Sequence, residues 1–227
     1  MGYAQFPLLI LATSLCATSP ARAATQPSLI AEKTVTADFS ERDRLPESDL
    51  PASKWYLGKM MGTWGPHAVV YPTVGPPAGC DPVAWKRARI IAVARHYIGL
   101  PYQHHHIPAW TPPASWTSRL GGPESAGLDC SNFTAWVYNY GLGVKFTGEI
   151  EDQADGPGAP GRRLATGEPL AAGDLLFILK EDRSRVSHVV IYVDEQHIID
   201  SHGDGVRVRP FAGWYQSHLS HARRIIE

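Results

Sequence analysis

The hydrophobic pattern of the chain changes near residue 174, and this change constrains the fold more than any other feature. Before it, apolar residues recur at helical spacing in two stretches, residues 83–98 and 130–140. After it come short β-branched runs separated by turn residues: 175–179, 189–193, 197–200 and 206–209. Helices followed by a cluster of strands predict an α+β fold with a mainly antiparallel sheet.

The predicted elements end at residues that favour termination. Gly99 and Pro101 stop the first helix, and Gly143 stops the second. Asp129 stands where an N-cap of the second helix is expected. A Gly-Asp-Gly turn at residues 203–205 joins the last two strands. These signals predict the boundaries of the elements independently of their periodicity.

The N-terminal residues predict export. An apolar run at residues 6–17 is too short to span a bilayer comfortably, and it is followed by a small-x-small cleavage site at 21–23. Residues 1–23 are therefore interpreted as a signal peptide, with a retained anchor as the alternative. No later segment is apolar enough for stable membrane insertion. We expect an exported protein, periplasmic or extracellular.

Length and charge limit the classes of partner. The 227 residues suffice for one domain with an appendage. The formal net charge of −1 gives no reason to expect a nucleic-acid partner or an anionic membrane surface. We predict an N-terminal extension at residues 24–84 and a single domain at 85–227.

A cysteine at a predicted helix start is the main candidate for chemistry. The helix dipole and free N–H groups at that end bias the thiol of Cys130 towards thiolate. His188, at the beginning of a predicted strand, is the residue type that takes the proton. The pair predicts a cysteine hydrolase. A buried structural thiol, or a disulfide with Cys80, is the alternative.

Six short motifs occur in a characteristic order. They are ARHYIGLPY at 94–102, LDCSNFTAWVY at 128–138, Gln153, LAAGDLLF at 170–177, SHVVIY at 187–192 and the strand at 198–205. In this order they resemble the NlpC-type cell-wall peptidases, a papain-like family of bacterial cysteine hydrolases. The resemblance extends from about Trp85 to the C-terminus. It implies a papain-like fold, with the catalytic cysteine at a helix N-terminus packed on the sheet.

The resemblance implies roles for individual residues. Cys130 would attack an amide carbonyl, with His188 as general base and then as general acid for the leaving amine. Asp200 matches the third residue, which orients the imidazole. His202, two positions further along the same strand face, competes with Asp200 for this role.

Further residues of these motifs are candidates for contacts with substrate. Tyr102 matches a tyrosine close to the nucleophile and is expected to donate to the oxyanion. Asp129 and Ser131 flank the thiol at positions that bind polar substrate groups in some relatives. Helix capping is the competing explanation for Asp129. His202 joins this set if Asp200 is the third catalytic residue.

Two departures from the family's motifs put the substrate in question. The triplet at residues 104–106, three histidines, replaces a common Trp-Gly-Gly, and Asn132 replaces a glycine. A longer, Pro- and Trp-rich insertion follows at 107–127. Adjacent histidines in a loop cannot all face one ion, so no metal and no cofactor are predicted.

The extension is expected to act on the domain. Its composition offers too little apolar surface for an independent fold, so it is expected to wrap or shield. We expect Trp55 or Trp64 to pack near the active site, where the extension would cover the cleft or form one of its walls.

The functional expectation is an exported cysteine peptidase that acts on peptidoglycan stem peptides or muropeptides. The resemblance implies cleavage of a D-γ-glutamyl bond to a diamino acid. Three alternatives stay open: an amidase or acyltransferase with a non-wall substrate, a catalytically silent wall-binding module, and a metalloprotein built on the histidine triplet. Binding of an inhibitor protein also stays open.

Overall fold

The computed structural model describes residues 33–51, 65–111 and 126–227. The predicted signal peptide, Trp55, Trp64 and most of the 107–127 insertion lie outside these ranges. None of the helices in the described ranges has the length and hydropathy of a bilayer span.

A six-stranded antiparallel sheet forms the centre of the domain. Its strands in chain order are β1 (Arg162–Arg163), β2 (Leu175–Leu179), β3 (Val186–Tyr192), β4 (His197–His202), β5 (Gly205–Pro210) and β6 (Leu219–Arg224). They lie in the order β1-β6-β2-β3-β4-β5, and each neighbouring pair is antiparallel. The predicted fold class is confirmed, because this sheet carries the long helices of the chain on one face.

Five helices with described bounds accompany the sheet. They are α1 (Phe39–Arg42), α2 (Pro82–His96), α3 (Cys130–Leu142), α4 (Ile150–Asp155) and α5 (Trp214–Ser217). The two long ones confirm the predicted helices. Helix α3 begins at Cys130 because the Asp129 side chain caps it, and it ends at Gly143, whose φ of 70° continues no right-handed helix.

The two faces of the sheet bury different residue sets. Alternate strand residues, among them Phe177, Val189 and Ile199, pack with helices α2 and α3 in the larger apolar cluster. The residues between them, among them Ile178 and Val190, pack with partly buried rings around α5 in a smaller cluster. His188 alternates with the second set, so it lies on the face that α5 covers.

The predicted bounds of β2 are exact, whereas those of β3, β4 and β5 differ by one to three residues at one or both ends, and two strands were not predicted. Strands β1 and β6 have no alternating apolar pattern, because they are rich in arginines whose side chains make ion pairs. Helices α1, α4 and α5 were missed as well, since four to six residues are too few to show a helical period.

The loop before the nucleophile is held by two close approaches of backbone. A Cβ on Gly127 would lie 2.3 Å from the Pro101 carbonyl oxygen, and one on Gly205 would lie 2.5 Å from that of Leu100. Backbone hydrogen bonds join Leu128 to Pro101 and Val206 to Leu100. Glycine is required at both positions, because any side chain would push the loop away from strand β5.

Two buried arginines tie the N-terminal segment to the domain. Arg89 on α2 donates to the Val35 carbonyl at 2.7 Å and to Asp38 at 2.9 Å. Arg42 donates to Asp38 at 2.6 Å and to the Tyr140 carbonyl at 2.6 Å. Residues 35–42 of the extension therefore pack at the C-terminal end of α3. Ten residues of helix, about 15 Å, separate this end from Cys130. The domain boundary at residue 84 stays a prediction.

Candidate active site

Cys130, the candidate nucleophile, lies at the place where strands β3 and β4 separate. Strands β3 and β4 pair at Ile191–Ile199 and Tyr192–Ile198. Beyond these pairs, the Ser201 hydroxyl donates to the Leu128 carbonyl at 2.6 Å. The Val189 N–H is close enough to the Cys130 thiol to favour its thiolate form. The start of helix α3 thus lies between the two strands, with the thiol beside the residue that follows His188.

Burial determines the protonation of the thiol. Cys130 is only 6% exposed. Burial, together with the charge of Asp129, raises the pKa of Cys130 to about 12, despite the Val189 and Ser131 N–H groups that favour the thiolate. The bias towards thiolate expected from the helix N-terminus is therefore outweighed, because loss of hydration costs the charged form more than the dipole returns. Cys80 and Cys130 are both free, so the disulfide alternative does not hold.

His188 and Asp200 form a buried pair. The Nε2 atom of His188 lies 2.7 Å from Oδ2 of Asp200, which bridges strands β3 and β4. A carboxylate only accepts, so Nε2 carries the hydrogen. In the described ranges no hydrogen bond engages Nδ1, the ring nitrogen left to exchange a proton, and none joins it to the Cys130 sulfur. The imidazole is oriented in advance, whereas the thiol–imidazole contact is not yet made.

Asp200 is held as a carboxylate by three donors. Besides His188, it accepts a hydrogen bond from Nε of Arg209 at 2.6 Å and one from the Tyr215 hydroxyl at 2.8 Å. Burial raises the pKa of Asp200, but the hydrogen bond and charge of His188 and the hydrogen bonds of Arg209 and Tyr215 outweigh it. The pKa of Asp200 therefore lies below its ordinary value.

His202 lies beside the His188–Asp200 pair, and in the described part of the chain no hydrogen bond joins it to either residue. Its ring meets that of His188 edge to face, with centroids 5.1 Å apart. Burial and the charge of His188 lower the pKa of His202, which favours a neutral ring. The rings of Trp214 and Tyr215 lie 5.8 and 6.0 Å from His188 on the side of α5. His188 is thus enclosed by three aromatic rings.

A cleft of about 460 Å³ opens onto His188. Tyr102, His202 and Trp214 line it, together with Lys180 from the loop between β2 and β3. Burial raises the pKa of Tyr102, and the nearby charges of Cys130 and Asp129 add to this effect. The Tyr102 hydroxyl therefore keeps its hydrogen and is able to donate. Of the predicted substrate-contacting residues, Tyr102 and His202 line this cleft.

The other two predicted contact residues serve the helix start. Asp129 accepts from the backbone N–H of Asn132 at 2.8 Å, which is the cap, and from the Ser131 hydroxyl at 3.2 Å. The Asn132 side chain also donates to both Asp129 oxygens at 3.0 Å. Capping is therefore observed for Asp129, and the hydroxyl of Ser131 is turned towards Asp129.

The three histidines of the triplet face three different partners. His104 lies 3.1 Å from Asp129, and His106 lies 2.9 Å from the Asn132 side-chain oxygen. The buried ring of His105 packs edge to face on Trp110, with centroids 4.5 Å apart. His106 of the triplet and Asn132, which both depart from the family's motifs, therefore contact each other.

The predicted motif residue Gln153 supports the catalytic helix. Its amide donates to the carbonyls of Ser131 at 2.8 Å and Thr147 at 2.6 Å, and its oxygen accepts from Thr134 at 3.0 Å. These contacts hold the first turn of α3 against the loop that follows it. Gln153 is fully buried and has no access to the cleft.

The sequence patterns did not identify Arg209 and Tyr215 as residues of the site. For Arg209 a signal was available, since the turn at 203–205 sets a hairpin register that brings residue 209 opposite residue 198, two positions from Asp200. For Tyr215 no signal existed. It reaches Asp200 from the short helix α5, whose position depends on packing against the sheet.

The chain is similar to proteins of one known family. The model described as the NlpC/P60 family matches residues 117–224, slightly under half of the chain. None of the curated proteins compared with the chain matches it.

Three solved structures with similar folds illustrate the range of similarity. A Bacillus cereus NlpC/P60 family protein is 24% identical, with a TM-score of 0.48 over 69% of this chain and 42% of its own. The NlpC/p60 domain of peptidoglycan hydrolase SagA is 26% identical, with a TM-score of 0.43 over 61% of this chain and 97% of that domain. RipB, a peptidoglycan hydrolase of Mycobacterium tuberculosis, is 18% identical, with a TM-score of 0.49 over 93% of this chain and 92% of its own.

The family match covers the nucleophile helix and all six strands of the sheet. It also includes the three residues that the motifs predicted for catalysis. Over residues 117–224 the match therefore confirms the resemblance to the NlpC/P60 family that the motifs predicted.

Proposed function

We propose that this protein hydrolyses amide bonds in peptidoglycan stem peptides, with Cys130 as nucleophile, His188 as general base and Asp200 as the residue that orients the imidazole. One observation carries the proposal. The buried His188–Asp200 pair, 2.7 Å between Nε2 and Oδ2, lies beside the helix start that presents the thiol. The family match supports the same assignment.

The proposed reaction starts from a neutral thiol. His188 takes the proton of the Cys130 thiol at Nδ1 while the sulfur attacks the amide carbonyl, and Asp200 stabilises the imidazolium that forms. The oxyanion accepts hydrogen bonds from the Cys130 backbone N–H and the Tyr102 hydroxyl. The imidazolium then gives its proton to the leaving amine. A water molecule, deprotonated by His188, hydrolyses the thioester and restores the thiol.

The resemblance carried by the motifs supports the proposed substrate, and the predicted signal peptide supports the proposed location. We propose cleavage of the D-γ-glutamyl bond to a diamino acid, by a protein that residues 1–23 direct out of the cytoplasm. Asp129 and Ser131 are proposed to contact polar substrate groups only after some rearrangement, because both are engaged in the helix cap. His202 and Tyr102, which line the cleft, would contact the substrate directly.

The decisive experiment compares wild type with Cys130→Ala on purified peptidoglycan and short muropeptides, with products identified by mass spectrometry. Cys80→Ala is the matched control, since Cys80 is also free and lies outside the cleft. We expect wild type and Cys80→Ala to release the same fragments and Cys130→Ala to release none while staying folded. Cleavage by Cys130→Ala would disprove the proposal, and the fragment masses identify the bond.

A silent wall-binding module is the second candidate, and one observation favours it. The thiol of Cys130 is almost wholly buried, with its pKa raised to about 12. Alkylation by a small neutral reagent across a pH series separates the two candidates. A Cys130-specific reaction already near neutral pH supports the enzyme, because only proton transfer to His188 supplies thiolate there. Reaction confined to strongly alkaline pH supports the silent module.

A further inference from the structure

The carboxylate of Asp200 is fully buried, yet it is shared by more partners than the catalytic pair needs. Its Oδ2 faces both His188 and the Tyr215 hydroxyl, and its Oδ1 accepts from Nε of Arg209. The Asp200 side chain is 0% exposed, so no water replaces these donors. A buried carboxylate without a cation would take up a proton instead of staying charged.

Arg209 reaches Asp200 from within the β4–β5 hairpin. Its guanidinium lies between two carboxylates, pairing with Asp200 through Nε and with Asp204 of the turn through Nη2. Asp204 thereby fixes the far end of the guanidinium, while Gly205 accepts a further hydrogen bond from Nη2 at 3.2 Å. The side chain of Arg209 is 18% exposed, so its charge acts on Asp200 with little screening by water.

The neighbouring Arg207 provides a natural contrast. It lies directly opposite Asp200 in the register of the hairpin. Its guanidinium nevertheless pairs only with Asp204, Nε to Oδ2 at 2.9 Å, and its side chain is 55% exposed. Two arginines on one strand face thus share one surface carboxylate, and only Arg209 touches the buried one.

We propose that Arg209 and Tyr215 are positioning residues, which keep Asp200 ionised and aimed at Nε2 of His188 so that the imidazole accepts the thiol proton. The inference rests on the proposed function, in which His188 is the base. Neither residue touches the reacting atoms. Arg209 supplies the charge that a buried carboxylate needs, and Tyr215 fixes the second lone pair of Oδ2 from helix α5.

The charged and titratable groups around Asp200 determine the sign of the effect. They come from every element packed against it: Cys130, His188, His202, Asp204, Arg209 and Tyr215. The hydrogen bonds of His188, Arg209 and Tyr215 overcome the effect of burial and hold the pKa of Asp200 below its ordinary value. Removal of a buried cation raises the proton affinity of the groups beside it. Loss of Arg209 should therefore make Asp200 protonate at higher pH.

The test compares Arg209→Leu with a matched control, Arg207→Leu. Both variants remove an arginine from strand β5, and both remove an ion pair with Asp204. The pH dependence of kcat/KM is measured on a muropeptide, together with kcat and KM at the optimum. We expect Arg209→Leu to move the acid limb to higher pH by about one unit, with a lower kcat. KM should change little, since Arg209 does not line the cleft. Arg207→Leu should follow the wild-type profile.

Two further variants separate charge from geometry. Arg209→Lys restores the cation, so the acid limb should return towards that of wild type, whereas a role in shape alone would not be rescued. Tyr215→Phe removes one hydroxyl and should displace the acid limb in the same direction by a smaller amount. Thermal unfolding of each variant establishes folding. If Arg209→Leu does not fold, Tyr215→Phe and Arg209→Lys still decide, and a wild-type profile for Tyr215→Phe then counts against the proposal.

A second readout separates failure of this inference from failure of the proposed function. The pH profile of Cys130 alkylation in the same variants needs no substrate. The same displacement in Arg209→Leu, and not in Arg207→Leu, supports the inference even if no muropeptide is cleaved. Superimposable profiles for wild type, Arg209→Leu and Arg207→Leu would overturn it, as would an equal displacement in both arginine variants.

Discussion

At the scale of single residues, the proposed chemistry depends on one buried carboxylate, Asp200, which has three hydrogen bonds in place of hydration. Asp200 is charged although it is buried, and its partner His188 is oriented through Nε2 before any substrate arrives. The thiol is the opposite case, because burial keeps Cys130 protonated. A resting site with a neutral thiol and an oriented base needs substrate or a small movement to bring the sulfur and Nδ1 together.

Replacing Asp200 tests the orienting role. Asp200→Asn should lower kcat about 100-fold, because an amide neither selects the tautomer of His188 with hydrogen on Nε2 nor stabilises an imidazolium. The matched control is Asp194→Asn. Asp194 lies 2.8 Å from His197 in another aspartate–histidine pair of the same sheet, but an exposed one. The measurement is kcat and KM on a muropeptide.

The same measurement on His202→Asn decides between the two candidates for the third residue. The His202 ring lines the cleft and meets His188 edge to face, without taking its Nε2. His202→Asn should therefore raise KM more than it lowers kcat. A 100-fold loss of kcat in His202→Asn, with nearly normal kcat in Asp200→Asn, would reverse the assignment.

At the scale of elements, the site depends on how the first turn of α3 is fixed between β3 and β4. The cap from Asp129, the carbonyl contact from Ser201 and the amide of Gln153 hold this turn from three sides. Helix α5, although short, closes the opposite side of His188. The position of Cys130 therefore depends on contacts from several elements and not on helix α3 alone.

Gln153 offers a test of this support. Gln153→Leu would remove the side-chain donor of the Thr147 carbonyl and one of the two side-chain donors of the Ser131 carbonyl, and it should lower the free energy of unfolding by about 2 kcal/mol. It should also lower kcat, because the first turn of α3 loses its anchor. Gln196→Leu, at an exposed position with no such contact, is the control. Urea denaturation measures the stability, and unchanged stability of Gln153→Leu would contradict the supporting role.

At the scale of the whole molecule, the N-terminal segment is part of the domain's core. Val35, Phe39 and Tyr71 belong to the same buried cluster as the residues of α3 and the sheet. The attachment point is an ionic cluster of Asp38 with Arg42 and Arg89. The contact is distant from Cys130 along α3, so its main expected effect is on stability.

The pH dependence of stability tests this attachment. Burial raises the pKa of Asp38, but the hydrogen bonds and charges of Arg89 and Arg42 outweigh it, and the pKa lies below its ordinary value. Such a group stabilises the fold fully above its unfolded pKa, about 4, and this contribution is lost as pH falls through the lower folded pKa. Asp38→Asn should therefore destabilise the protein by about 3 kcal/mol at pH 7, and by less at pH 3.

Urea unfolding of wild type and Asp38→Asn at pH 7, 5 and 3 measures this difference. Asp49→Asn, an exposed carboxylate of the same segment, should change stability by less than about 0.5 kcal/mol at each pH. A gap between wild type and Asp38→Asn that stays constant down to pH 3 would show that the charge of Asp38 does not attach the segment.

The sequence by itself determined the features that are local in the chain. The periodicity of α2 and α3, the cap at Asp129, the turn at 203–205 and the order of motifs from 94–102 to 198–205 predicted the fold class and the family. These succeed because helical and strand periods, caps and turns depend on neighbouring residues. Cys130, His188 and Asp200 were named from the same motifs.

Only the tertiary structure decided which side chains meet. The pairing of His188 with Asp200 rather than His202, the arrival of Arg209 and Tyr215 at that carboxylate, and the burial that raises the pKa of Cys130 all depend on contacts between distant segments. Strand β6 was likewise not predicted, since it contains ion-paired arginines in place of alternating apolar residues. Hydration and charge at a buried site are set by everything packed around it, which a local pattern does not record.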